Sequence, residues 1–599
     1  MRRGEPVSET VTPQPTPADP SPARQERFVE RVRSAWQAWI QKIFTEREDL
    51  LFLVLALLIG VFGGLAVVCF RVAIDWVQFV TLGSSLYPGF PRVVIVPAIA
   101  GLAIAALVIF AFPRSRGSGV NQTKAAVYVS NGYIPFDTVI GKFVVCALAI
   151  GSGQSLGPED PSLQMGAGIA SKIGRYLKLS QSKIRLIAPV GAAAGLAAAF
   201  NAPLASTLFV IEEVIGTWSA GVLGAIVLAA ISSAITMRYF LGAESLFRVP
   251  SVRPAHPVEF LGYAVLGVVG GVVSLFFTKW IAWARPRIQA LPRRAHYVLP
   301  AAAGLIVGIM GIWYPQVLGA GYSIIDQALH GEFAWKLLLI LAFMKLFATG
   351  VCFLSGTPGG MFAPTLFIGA MLGGGIGAIE HHFFPSITTS VGMFALVGMG
   401  TLFGGFLRVP ITSVFMVIEL SGSYTAALPV MLSSLIAYLI SRQYQEVALF
   451  DMLTRQEGLI LPSIEERREQ EAFLVEDAMR TDGAFVVRPN EPVADVARKA
   501  GTQKDTPVLL RVRVGEWRLI DSEDMQRLAN DGAGSYTASE VKTKGPLPLL
   551  FPDESIEEAM RWLGDWPVIP VVSRADLGQL EGVLTFPDVL KAVRKAKVE

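Results

Sequence analysis

The 599-residue sequence predicts an all-α, multi-pass membrane domain built from two related halves with broken helices, followed by a smaller α+β soluble region. Three observations carry that reading. Hydrophobic residues make up 52% of the chain against 17% charged, with a mean hydropathy of +0.50, outside the range of soluble globular chains. A set of landmarks in the first half recurs in order some two hundred residues later. After about residue 455 the composition turns abruptly charged.

The chain opens on MRRGEPVSETVTPQPTPADPSPAR, and residues 1–25 read as a disordered polar tail. Residues 26–49 follow as an amphipathic interfacial helix around SAWQAWIQKIF. Arg31, Arg33, Lys42 and Arg47 precede the first apolar run, whereas the loop at 81–92 offers only Arg92, so the positive-inside bias places the N-terminus in the cytoplasm. Apolar runs at 50–70, 93–112 and 299–313 reach or approach the roughly 20 residues that cross about 30 Å of hydrocarbon. Others are interrupted by Gly and Pro, and freed backbone groups are tolerated in a membrane only inside protein or along a polar cavity. The membrane domain is expected over 50–455, and Cys69, Cys146 and Cys352 are expected as small buried hydrophobes within it. The net charge of +3 rests in loops and tails and implies no nucleic-acid partner.

Four landmarks define the repeat. GSGV at 117–120 returns as GAGY at 319–322, Lys142 as Lys345, GPEDPSLQMGA at 157–167 as GMFAPTLFIGA at 360–370, and PLASTLFVIEE at 203–213 as PITSVFMVIEL at 410–420. The offsets are 202, 203, 203 and 207 residues, giving one half over about 50–240 and a second over about 258–447. Matching interruptions in two halves are the signature of a transporter-like fold whose site lies where the repeats meet. Each interruption starts a helix inside the membrane, where free N–H groups and the positive dipole end attract an anion. Backbone donors hold it weakly enough to let it leave.

GSG at 117–119, GPEDP at 157–161 and GMFAP at 360–364 resemble the three anion-site motifs of the CLC family of chloride channels and chloride/proton antiporters. The resemblance implies a homodimer with one anion pathway per subunit, with chloride as the bound substrate and protons as the counter-substrate. It implies that Ser118 gives its hydroxyl, and Met361 and Phe362 their amides, to a central chloride, with Gly119, Gly157, Pro158, Gly360 and Ala363 shaping the site. The family's gating glutamate falls on Glu159. A carboxylate at a helix start mimics the anion, and when protonated it becomes neutral and swings away.

The chain departs from the family in two places. Pro158 and Asp160 flank Glu159 where Arg and Gly are usual; Asp160 is expected to cap its helix, with facing the vestibule or opposing Glu159 as alternatives. Phe450 stands where the family has an anion-coordinating tyrosine; its ring can line the inner mouth but cannot donate a hydrogen bond. Glu213, second acid of VIEE, matches the inner proton relay of the family's antiporters and favours exchange over a passive channel, the alternative reading. Glu212 and Glu419 are expected to be structural, and Lys142 and Lys345 either to cap backbone carbonyls or to serve the ions.

Residues 456–470 read as a linker. Beyond it RPNEPVADVARKA (488–500) matches FPDESIEEAMRWL (551–563) at an offset of 63, which predicts two α+β modules over 471–532 and 533–599. They resemble tandem CBS domains. The resemblance implies a site for an adenine nucleotide at Thr585 and Asp588, disfavoured by Asp521 in the first module; no cofactor is otherwise required. An intramembrane hydrolase is the rival from another class, disfavoured because the five histidines lie in or near loops and EHHFF at 380–384 lacks metal-ligand spacing. A regulatory scaffold is the remote alternative. The expected location is a bacterial inner membrane with both termini cytoplasmic.

Overall fold

The structure, a computed structural model, describes residues 48–596 except 84–88, 178, 180, 217–219, 244, 248, 250–256, 386–387, 389, 460, 462–473, 482–483, 501–505 and 532–535. The expected tail at 1–25, nearly all of the interfacial helix and most of the linker lie outside the described residues. The chain divides into two compact units between Leu461 and Pro462.

The first unit is helical. Its first half runs α1 (Glu48–Thr81), α2 (Arg92–Ala106), α3 (Gly119–Val129), α4 (Phe136–Gly151), α5 (Glu159–Tyr176), α6 (Gln181–Phe200), α7 (Pro203–Phe209) and α8 (Ala220–Leu241). The second half repeats the series as α9 (Glu259–Gln289), α10 (Leu299–Trp313), α11 (Tyr322–Leu329), α12 (Trp335–Leu354), α13 (Phe362–Phe383), α14 (Val391–Leu407), α15 (Pro410–Ser421) and α16 (Ala427–Tyr444); α17 (Leu449–Gln456) closes the unit. Among the described residues eight segments are long and apolar enough to cross a bilayer, so this is a multi-pass membrane protein. Helix α5 is not one of them. Its first eight residues, Glu159 to Gly166, are all buried, which is how a stretch with two acids is tolerated at this depth. Cys146 and Cys352 are buried as expected, but Cys69 lies on the exposed face of α1, where a small apolar side chain facing lipid costs nothing.

The halves interlock reciprocally. The Glu212 carboxylate accepts from the Thr412 N–H at 3.0 Å and its hydroxyl at 2.7 Å, at the start of α15. Its repeat partner Glu419 accepts from the N–H groups of Leu204 and Ala205 at 3.0 and 2.8 Å, at the start of α7. Each acid thus neutralises orphan donors and the positive dipole end of the other half's helix. The buried lysines act in the same paired way. Lys142 donates to the Gly117 carbonyl at 2.5 Å, and Lys345 to the carbonyls of Gly319 and Val317 at 2.6 and 3.0 Å. Each therefore ties down the loop before a short helix. Contacts in which i meets j′ while i′ meets j are what a two-fold relation produces.

The second unit carries α18 (Val475–Ala478), β1 (Phe485–Val487), α19 (Val493–Ala500), β2 (Val508–Arg513), β3 (Glu516–Ile520), α20 (Ser522–Asn530), β4 (Thr543–Lys544), α21 (Ile556–Leu563), β5 (Ile569–Val572), β6 (Leu580–Leu584) and α22 (Phe586–Ala596). Strands β1 to β4 form one sheet in sequence order, with β1 parallel to β2 and the rest antiparallel, and β5 pairs antiparallel with β6. The unit is thus a small α+β body. Its repeats exchange edges: Arg480 pairs with Val583, and the residues 63 along and 63 back, Thr543 and Ile520, pair with each other. Leu474 with Ser555, and Pro492 with Thr537, obey the same rule.

Candidate functional site

Two interrupted helices meet at the centre of the first unit. Gly157 and Gly360, equivalent in the repeat, exchange N–H to carbonyl bonds of 2.8 Å in both directions. This two-residue bridge fixes the starts of α5 and α13 side by side, and the donors that a helix start leaves free converge around it.

Glu159 opens α5 and is wholly buried. One carboxylate oxygen, Oε2, accepts from the Ala363 N–H at 3.3 Å, and Oε1 accepts from the Tyr322 hydroxyl. The side chain folds so closely over Gly157 that a Cβ there would stand 2.3 Å from Oε2. An acid from one half is therefore held by the first turns of two helices, α11 and α13, from the other.

Asp160 is also wholly buried, and beyond the N–H of its own helix start its carboxylate reaches other elements. Its Oδ2 accepts from the Ser118 hydroxyl at 2.8 Å, across 42 residues of sequence. The Met361 N–H faces the same carboxylate, and Oδ1 is buried without a hydrogen bond of ordinary geometry. Ser118 meanwhile caps α3, accepting from the Val120 N–H at 3.3 Å. Ser118, Glu159, Asp160, Met361 and Ala363 thus form one cluster with Gly119, Gly157, Pro158 and Gly360 as its walls.

Phe362 points into an aromatic group, with ring centroids 5.0 Å from Phe209, 5.4 Å from Phe403 and 6.2 Å from both Phe200 and Phe450. Phe450 is buried and edge-on to Phe362, so an apolar wall stands there. Glu213 is not solvated at an interface: it is buried, and it accepts from the Lys124 ammonium at 3.0 Å. Lys124 also donates to Asp451, next to Phe450, at 2.5 Å. A buried lysine shared by two acids gives each a cation at hydrogen-bond distance, whereas a buried charge alone would be costly.

Sequence reading missed Tyr322, Lys124 and Asp451. Tyr322 carried a signal, since GAGY puts a phenol where the first repeat has Val120. Lys124 hides in the polar run NQTK, and only the fold brings Asp451 to it. Between Pro158 and Tyr322 opens a cavity of about 190 Å³ that Arg71, Asp75 and Gln78 of α1 also line. Its lining includes Pro158 and Tyr322, the neighbour and the hydrogen-bond partner of Glu159.

In the second unit, Thr585 donates its hydroxyl to Asp588 at 2.5 Å, and Asp588 is ion-paired with Arg480 at 3.0 Å. Asp521 caps α20, accepting from Glu523 and Asp524 N–H groups. Thr585, Arg480, Lys544, Asp521 and Glu523 line one cleft between the exchanged edges.

The sequence profile of the family described as voltage gated chloride channel matches residues 100–442. The H(+)/Cl(-) exchange transporter ClcA of Yersinia pseudotuberculosis serotype IB (strain PB1/+) is 31% identical over 413 residues, spanning 66% of this chain and 86% of that one. Among solved structures, a slow cyanobacterial Cl-/H+ antiporter superposes with a TM-score of 0.63 at 24% identity, covering 68% of this chain and 97% of its own. A eukaryotic CLC transporter does so with a TM-score of 0.59 at 20% identity, covering 90% of this chain and 97% of its own. The fold is shared along nearly the whole of both structures, and with the profile match over more than half of the chain it follows that this protein belongs to the voltage gated chloride channel family.

Proposed function

We propose that the protein exchanges chloride for protons across its membrane, with Glu159 as gate and outer proton carrier and Glu213 as inner proton relay. The observation that carries this reading is the Glu159 carboxylate lying across the paired helix starts and accepting from the Ala363 N–H. An ionised carboxylate there takes the seat of an anion, and protonation releases it, so one side chain couples the two ions. Glu213 supports exchange over a passive channel: it is a buried acid bonded to the Lys124 ammonium, where a proton relay would need a titratable group.

The paired helix starts come from the two halves of a single chain, in keeping with one pathway per subunit, and a homodimer is part of the same proposal. The positive-inside bias supports cytoplasmic termini, and the likeness to bacterial exchangers supports a bacterial inner membrane.

The test is flux in proteoliposomes. A chloride gradient imposed across the vesicle drives protons uphill if the reading holds. Chloride flux with no proton movement would leave a passive channel, and no chloride flux at all would remove anion transport.

A further inference from the structure

We propose that Asp160 is a second internal anion: its carboxylate occupies the seat between the Ser118 hydroxyl and the Met361 N–H, and chloride enters there only after Asp160 takes up a proton and turns away. This rests on the anion-transport reading above and deepens it.

Besides the N–H of its own helix start, the carboxylate meets donors from two other elements, as a bound anion would. Oδ2 accepts from the Ser118 hydroxyl at 2.8 Å and the Met361 N–H faces the group, so Asp160 uses donors from the starts of α3 and α13 that a central chloride would need. Oδ1 is fully buried and without a hydrogen bond among the described residues. One oxygen of the carboxylate therefore lies beyond the donors that hold the other. A Cβ on Gly360 would stand 2.9 Å from Oδ1, so the carboxylate fills the space against the bridge. With Glu159 on Ala363, two successive residues of one helix plug two successive sets of donors.

The charge balances in the exchange. The carboxylate and one proton from water become a neutral carboxylic acid, and an arriving chloride restores the single negative charge among the same donors. The titratable groups facing Asp160 are Glu159 on its own helix and Lys142 and Cys146 on α4. The starts of α3 and α13 present Ser118, Gly119, Gly360 and Met361, none of which titrates in the working range. Lys142 is held by the Gly117 carbonyl. Glu159 is therefore the group whose titration must be separated from that of Asp160.

The experiment is calorimetric titration of chloride into the purified full-length protein between pH 4.5 and 7.5, for Glu159→Gln and for Glu159→Gln with Asp160→Asn. In the single variant chloride binding should strengthen as pH falls, by up to about tenfold per pH unit for one linked proton. In the double variant binding at pH 7.5 should match that of the single variant at pH 4.5 and lose its pH dependence. A flat profile in the single variant, or an unchanged profile in the double, would overturn the proposal. If the double variant does not fold, the single variant's profile alone decides. Proton-coupled flux is measured in parallel on the unmodified protein: Asp160-dependent binding without coupling removes exchange and upholds the second anion, whereas no chloride binding in any variant removes both.

Discussion

Glu159 and Asp160 are neighbours on one turn, yet they are held by different halves of the donor set: the first by Tyr322 and Ala363, the second by Ser118. Replacing Glu159 by Gln keeps the shape and removes the titrating group, so proton coupling should vanish while chloride flux persists; coupling that survives in the flux assay would mean another gate. Tyr322→Phe removes one charge-assisted hydrogen bond, worth about 1.5–3 kcal/mol. The outer seat should then be vacated more readily and chloride should bind about tenfold tighter or better by calorimetry. An unchanged affinity would show that the phenol does not hold the gate. Glu159 was legible in the sequence because the repeat sets it against Phe362, an acid added to one copy of an anion-seeking helix start. The partner of Asp160 was not legible, since its contact with Ser118 depends on how α3 and α5 are placed in space. Nothing local marks it.

At the scale of elements, the repeat predicted more than similarity. Equivalent residues do equivalent work on opposite halves: Glu212 on α15 and Glu419 on α7, Lys142 and Lys345 on the two glycine loops. Loss of such a cap costs about 1–2 kcal/mol, so Glu419→Ala should lower the thermal midpoint in detergent. Glu419→Gln, which still accepts hydrogen bonds, should lower it less. Glu212→Ala combined with Glu419→Ala should be close to additive, because the caps are separate sites. The Lys124, Glu213 and Asp451 group belongs to a different class. Lys124→Met takes the cation from buried Glu213 and half-buried Asp451 and should cost about 3–5 kcal/mol, a much larger fall in the same measurement. A fall no greater than that of a cap variant would show that water or another cation already serves the acids. Sequence pattern marked the two acids as structural because each sits nine residues after the repeat's proline, but not which helix start each one caps. It found Glu213 but missed Lys124 and Asp451, whose approach to that acid depends on how three separate segments are placed in space.

At the scale of the whole molecule, reciprocity appears twice, once in each unit, and its consequence for stability is clearest in the second. The offset of 63 residues predicted two α+β modules in series, but periodicity says nothing about which edge pairs with which. Arg480 pairs with Val583 and Thr543 with Ile520, so each module lends its leading segment to the other. The hydrophobic core follows the same exchange: Leu509 and Trp517 pack with Leu547, Val568, Val572 and Val583. Trp517 is fully buried, and its indole N–H donates to the Leu577 carbonyl at 3.0 Å. Two modules that share edges and the Trp517 cluster, beside two further hydrophobic clusters, cannot melt separately without exposing what the other supplies. A polypeptide of residues 471–599 should therefore unfold in a single cooperative transition by circular dichroism, whereas residues 533–599 alone should not fold. Trp517→Ala, which removes a large buried side chain, should cost about 3–5 kcal/mol and lower the transition of the 471–599 polypeptide as one. Two resolved transitions, with the second module keeping its midpoint after the Trp517 change, would mean that the exchanged edges do not couple the repeats.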